Sequence, residues 1–172
     1  MKNLIVLFAF LFYSVLISAQ ASQDPEFTKG FILLGKLSNG FTSGFKSSTP
    51  DLYLGGIGLN PQITVAENVL RVGANAGMTY NNKKLSGLFG PMLALKIKTL
   101  DTKYMGSYAN IHLLAEANWG TSKQQMAGGG LAVELFKKIH LGITAQRDYH
   151  FNTWWFQSFI GVSLSKSKES DD

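Results

Sequence analysis

The stretch Asn110-Ile111-His112-Leu113-Leu114-Ala115-Glu116-Ala117-Asn118-Trp119 splits cleanly into two faces when read with a period of two. Ile111, Leu113, Ala115, Ala117 and Trp119 make one face, and Asn110, His112, Leu114, Glu116 and Asn118 make the other. Successive side chains of an extended chain point to opposite sides, so this is a strand with one apolar and one polar surface. Leu70 to Tyr80 repeats the pattern: Leu70, Val72, Ala74, Ala76, Met78 and Tyr80 alternate with Arg71, Gly73, Asn75, Gly77 and Thr79. Each stretch has about the length that crosses a bilayer as a tilted β-strand, for which roughly 9–11 residues suffice.

Extending this reading in both directions predicts eight strands, near 28–37, 52–65, 69–80, 86–98, 107–119, 125–136, 139–149 and 154–165. No stretch after the N-terminal segment carries a helical period long enough to compete. Gly, Asn, Asp, Ser and Lys clusters separate the strands. Ala66-Glu67-Asn68 and Phe136-Lys137-Lys138 are short enough for tight hairpins, whereas Ser38 to Pro50 reads as a long loop. An even number of antiparallel strands closes into a barrel, with the first, third, fifth and seventh connections on one side. Tyr53, Tyr80, Phe89, Trp119, Tyr149, Phe151, Trp154 and Trp155 fall near that outer side, with Phe27, Tyr104, Tyr108 and Phe136 near the other, as two interfacial girdles require. Pro61 and Pro91 each remove a ladder donor, so a bulge is expected at both.

The N-terminus has its own logic. Met1-Lys2-Asn3 precedes an apolar run from Leu4 to Ile17, roughly 14 residues, too short for a spanning helix and right for a secretory signal. Ala19-Gln20-Ala21 matches the small-residue cleavage pattern, and Ser18-Ala19 offers an earlier site. The expected organisation is a signal peptide at 1–21, a short extension at 22–27, the barrel at 28–165 and a polar tail at 166–172. With no Cys anywhere, lipid attachment at the cleavage junction, disulfides, thiolate metal sites and a thiol nucleophile are all excluded. The net charge of +5 is scattered rather than clustered, which argues against a nucleic-acid surface. Charged residues make up only 16% of the chain, below the ~25% of soluble proteins, so something other than water is expected to cover part of the surface.

A water-soluble calyx also has two-faced strands, with the apolar face turned inward. The content of the polar face discriminates. It is mostly Gly, Asn, Thr, Gln and Ser, as in Gly56, Gly58, Asn60, Gln62 and Thr64 or Gly142, Thr144 and Gln146, whereas a water-facing side would be dense in Lys, Glu and Asp. Such residues suit a narrow lumen, where Arg71 and Lys96 against Glu116 and Glu134, with His112 beside them, form a mixed-sign polar network. On these features the chain resembles the small outer-membrane β-barrel proteins of the OmpA/OmpX type over residues 27 to 165. It departs from them in ending on Ser165 to Asp172 instead of a terminal aromatic residue. The resemblance implies a barrel filled by side chains, exposed loops, no bound cofactor, and a place in the cell outer membrane with its lipid as surroundings.

Chemistry is sparse. His112 and Glu116 share a strand face but stand four residues apart, too far for direct contact at ~3.3 Å per residue. His140, after Lys137-Lys138, and His150, in Arg147-Asp148-Tyr149-His150, read as solvated loop residues. Three dispersed histidines with no metal-ligand spacing predict no metal site, and the glycine runs at 55–58 and 128–130 lack the residues of a phosphate loop. Phe41 and Phe45, in the loop from Ser38, are candidates for contact with a partner. The expected function is therefore a non-enzymatic outer-membrane barrel, structural in the envelope or a small subunit of a larger outer-membrane assembly, with no small-molecule substrate identified. A narrow pore, a lipid-modifying barrel enzyme and a soluble lipocalin-like binding barrel are the alternatives.

Overall fold

A computed structural model describes residues 30–44, 52–81, 83–102 and 106–164; the expected signal peptide, Phe27, Phe45, Tyr104 and the polar tail lie outside the described residues. Eight antiparallel strands follow one another around a closed barrel: β1 (Phe31–Ser43), β2 (Leu52–Ala66), β3 (Leu70–Asn81), β4 (Lys84–Thr102), β5 (Gly106–Gly120), β6 (Gln125–Leu135), β7 (Ile139–Asp148) and β8 (Thr153–Ser163). Each strand pairs with its sequence neighbours, and β1 closes the ring on β8 from Leu34↔Ser163 to Ser43↔Trp154. Closure leaves no unpaired sheet edge, the condition under which strands can sit in a medium that offers no hydrogen bonds.

The two faces lie as the alternation requires. Ile57, Leu113 and Ile143 are 62%, 46% and 62% exposed on the outside, while Arg71, His112 and Glu134 are buried within. The apolar face is thus the outer one, the inverse of a water-soluble calyx. Contiguous exposed apolar surface of this extent is foreign to a soluble monomer. Aromatic rings collect towards the outer ends: Tyr53, Tyr80, Phe89, Trp119, Tyr149 and Phe151 are exposed, and the rings of Phe89 and Trp119 lie 6.2 Å apart. Trp155 breaks the expected girdle. It turns inward, 4% exposed, and packs with Leu54 and Met126, because its parity is that of Phe159 and Gly161, the buried face of β8.

Three expectations are corrected. The long loop predicted from Ser38 is strand as far as Ser43, so Phe41 is a strand residue opposite Tyr53 and Phe156, with its ring 5.3 Å from that of Phe156. The Gly, Ser and Asn content that resembles a loop is what close strand contact demands here: a Cβ on Gly40 would stand 1.9 Å from the carbonyl oxygen of Phe156. Second, β4 and β5 continue to Thr102 and from Gly106, so the expected long turn after Thr99 shrinks. Third, the register shifts fall at Thr64/Ala66, Lys96/Lys98 and Leu100/Asp101 and not at the prolines. Pro61 pairs with Leu33 and Pro91 with Ala74, so each proline keeps a neighbour on one side without displacing the register. The tight hairpins form as expected, Val69 N donating to Ala66 O and Lys138 N to Leu135 O. Phe136 and Lys137 both take positive φ, 50° and 58°, which matches the right-handed twist of the flanking strands.

Candidate functional site in the barrel interior

Inward-facing charge balances among the described residues: Lys36, Arg71 and Lys96 stand against Glu116, Glu134 and Asp148. Burying an ion is costly unless it is paired and hydrogen-bonded, and the register supplies the partners. Near the β6–β7 turn, Arg71 Nη1 on β3 donates to Glu134 Oε2 on β6 at 3.0 Å, both side chains 2% exposed. His112 Nε2 lies 3.3 Å from the same oxygen, and His140 Nε2 lies 3.9 Å from Glu134 Oε1. Lys96 pairs in register with His112, and its Nζ donates to Asn68 Oδ1 at 3.3 Å. Arg71, His112 and Glu134 therefore gather in one cluster, with Lys96 beside His112 on the neighbouring strand.

Glu116 does not join them. Its Oε1 takes Lys36 Nζ at 3.5 Å and its Oε2 accepts from Gln146 Nε2 at 2.6 Å. From there a chain of amides crosses the lumen: Asn118 Nδ2 donates to Gln146 Oε1 at 3.0 Å, Asn75 Nδ2 to Asn118 Oδ1 at 3.1 Å, and Asn60 to Asn75. Asn60 and Asn75 meet where the β2–β3 ladder skips from Leu59↔Ala76 to Gln62↔Gly73, so a side-chain contact stands in at the gap beside Pro61. Met92, Ala94, Leu114, Ala132 and Phe159 form an apolar cluster inside the same lumen, and Lys36 Nζ sits 4.3 Å over the Phe159 ring. A cavity of ≈ 60 Å³ borders the amide chain and one of ≈ 20 Å³ borders both polar groups.

Lys36, His140 and Asp148 are interior residues that sequence reasoning missed; Asn60, Asn75, Asn118 and Gln146 were read on the polar face, but not their contacts with one another. His140, expected in solvent, is 4% exposed because it belongs to β7 on the parity of Gly142, Thr144 and Gln146. Asp148, expected in the outer loop, is fully buried and ties the β7–β8 turn: its Oδ1 accepts from His150 N at 2.9 Å and Phe151 N at 3.2 Å. Strand parity was the available signal for both. His150 is exposed, as expected. Of the two loop phenylalanines, Phe41 is placed on the barrel wall and Phe45 lies outside the described residues.

The environment of Glu116 carries a direct expectation. Glu116→Ala removes the acceptor of Gln146 and the partner of Lys36, and should destabilise the folded barrel by about 1–3 kcal/mol, the penalty for a buried group left unpaired. Glu67→Ala, at an exposed turn, should stay within ~0.5 kcal/mol. Urea unfolding of both variants in detergent micelles measures the difference, and equal midpoints would remove the amide chain from the stability of the barrel.

No family model matches the chain, and no curated protein matches it in sequence. Among solved structures it is similar to Ail, the attachment invasion locus protein of Yersinia pestis, at 9% identity and a TM-score of 0.51, over 79% of this chain and 98% of that one. It is also similar to the de novo designed TMB2.3, at 16% identity and a TM-score of 0.50, over 84% of this chain and 100% of that one. At such identities the likeness is one of fold, that of the eight-stranded transmembrane β-barrel.

Proposed function

We propose that this chain is a non-enzymatic β-barrel of a bacterial outer membrane, serving the envelope structurally or as a small subunit of a larger outer-membrane assembly. The observation that carries the reading is the inverted barrel: an apolar, aromatic-fringed outside around an interior occupied by ion pairs, amides and an apolar cluster. Lipid is the partner such an exterior fits. The expected secretory signal at 1–21 and the membrane-barrel fold agree with that location. Among the described residues the interior favours a scaffold over a pore, since the amide chain bridges the lumen and the cavities of ≈ 60 and ≈ 20 Å³ beside it hold a few water molecules. It also favours a scaffold over a lipid-modifying enzyme, since His112 faces a carboxylate already held by Arg71 inside the wall.

Two measurements test this. A closed ladder resists unfolding in mild detergent, so unheated protein is expected to migrate faster on a gel than boiled protein. Equal mobility together with complete release into the soluble fraction on carbonate washing would overturn the membrane location. Purification from native membranes in mild detergent then addresses the role: a stoichiometric outer-membrane partner supports the subunit, and an isolated barrel supports the structural protein. Steady ion conductance in planar bilayers, or turnover of phospholipid abolished by His112→Ala, would replace the proposal with a pore or an enzyme.

A further inference from the structure

We infer that the barrel binds one zinc ion, or a divalent cation of the same borderline class, through His112 Nε2, His140 Nε2 and a Glu134 carboxylate oxygen on the inner wall near the β6–β7 turn. Register brings the three together from separate strands. Glu134 on β6 stands directly opposite His140 on β7 and opposite Asn110 on β5, two residues from His112 and therefore diagonal to it. All three point inward and are 2–4% exposed, and their ligand atoms lie within 4.8 Å of one another. Zinc bonds of about 2.0–2.2 Å in a tetrahedral site set neighbouring ligand atoms ~3.4 Å apart. His112 Nε2 stands 3.3 Å from Glu134 Oε2 and His140 Nε2 3.9 Å from Oε1, so each imidazole is near that spacing from one oxygen of the carboxylate, and a small rotation of the side chains brings both to a single oxygen.

A second observation points to a ligand. His140 Nε2 is buried and has no hydrogen-bond partner among the described residues, a state that costs free energy unless another group fills it. A cation would take the nitrogen's lone pair. Glu134 is also prepared as a ligand: Arg71 Nη1 holds Oε2, which orients the carboxylate and leaves Oε1 towards His140, in the manner of the outer groups that fix metal-binding carboxylates. The ≈ 20 Å³ cavity touches both His112 and His140 and has room for one water molecule as a fourth ligand. Two imidazoles and one carboxylate select zinc, copper or nickel over calcium or magnesium, whose preferred ligands are all oxygen. Arg71 and Lys96 oppose a divalent charge nearby, so binding is expected to be weaker than in a site without neighbouring cations.

Calorimetric titration of zinc into untagged, chelator-washed barrel folded in detergent should give one equivalent bound. His112→Gln and His140→Gln should each weaken it at least about tenfold, since even an outer group that only orients a ligand is worth about that much, while His150→Gln in the outer loop leaves it unchanged. Heat-modifiable mobility verifies that each variant is folded. Should the variants fail that control, the unmodified protein still decides: cobalt must produce visible ligand-field absorption that zinc displaces stoichiometrically. No saturable zinc uptake up to millimolar concentration, absence of the cobalt bands, or uptake undiminished in a folded His112→Gln/His140→Gln protein would each overturn the site.

Discussion

Glu134→Ala is expected to lower the unfolding free energy of the barrel by about 3–5 kcal/mol, the cost of stranding a buried ion after its partner is removed. Arg71 is 2% exposed and its guanidinium meets Glu134 at 3.0 Å, so the truncation leaves a cation inside the wall without its carboxylate, and His112 loses the same oxygen. The charge, and not the volume removed, should dominate. Glu134→Gln, which keeps the shape and an acceptor, should therefore lose less than Glu134→Ala yet remain well below the parent. The double replacement Arg71→Met/Glu134→Leu should recover most of the loss, since exchanging both members of a buried pair for apolar groups is often close to neutral. Reversible urea unfolding in micelles or thin-bilayer vesicles, followed by tryptophan fluorescence, measures all three. A Glu134→Ala midpoint equal to that of the parent, or a double variant no better than the single, would show that the pair does not hold the interior together.

Leu113→Arg is expected to cost about 2–4 kcal/mol in a bilayer, the penalty for a cation at mid-depth on the lipid side of a barrel. Leu113 lies at the centre of β5 (Gly106–Gly120), 46% exposed, and is flanked in register by Leu95 on β4 and Leu131 on β6. No carboxylate neighbours it on those strands at that register, so the guanidinium has only a long climb to the interface. Lys98→Arg, an exchange of one exposed cation for another near the end of β4, serves as the neutral reference. The discriminating measurement is folding into phosphatidylcholine vesicles of increasing thickness. The Leu113→Arg penalty should grow with thickness, whereas an outer surface that met water would register less than ~0.5 kcal/mol in every medium.

The assignment of faces was legible in the sequence because it follows from a period of two, the strand count because turn residues separate the alternating stretches, and the closed antiparallel topology because their number is even and their connections short. Leu70 to Tyr80 carries that period without interruption and Asn110 to Trp119 breaks it only at Leu114, which joins the inner apolar cluster; neither needs knowledge of its neighbours to be read. Whether the apolar face pointed to lipid or to a sealed calyx was argued from the polar face, whose Gly, Asn, Thr and Gln content is too poor in charge for water. The local code failed where one composition serves two purposes. Ser38 to Ser43 reads as a loop, but Gly40 is there because the β8 backbone passes within reach of any side chain.

Partners across strands were beyond the sequence altogether. Period two places Glu116, Glu134, Arg71 and Lys96 on one face, but it contains no term for the stagger between strands, and stagger alone decides that Glu116 meets Lys36 and Gln146 while Glu134 meets Arg71 and the two histidines. His112 and His140 are 28 residues apart in the chain and far from any metal-ligand spacing. They become neighbours of one carboxylate only because β5, β6 and β7 lie side by side in a closed ring whose register is set by turns and bulges. The sequence by itself determined the facing of residues well inside a strand, and left open that of His140, Asp148 and Trp155 near strand ends, where period two runs into a turn; the closure and shear of the barrel, a property of all eight strands at once, determined which inward residues touch.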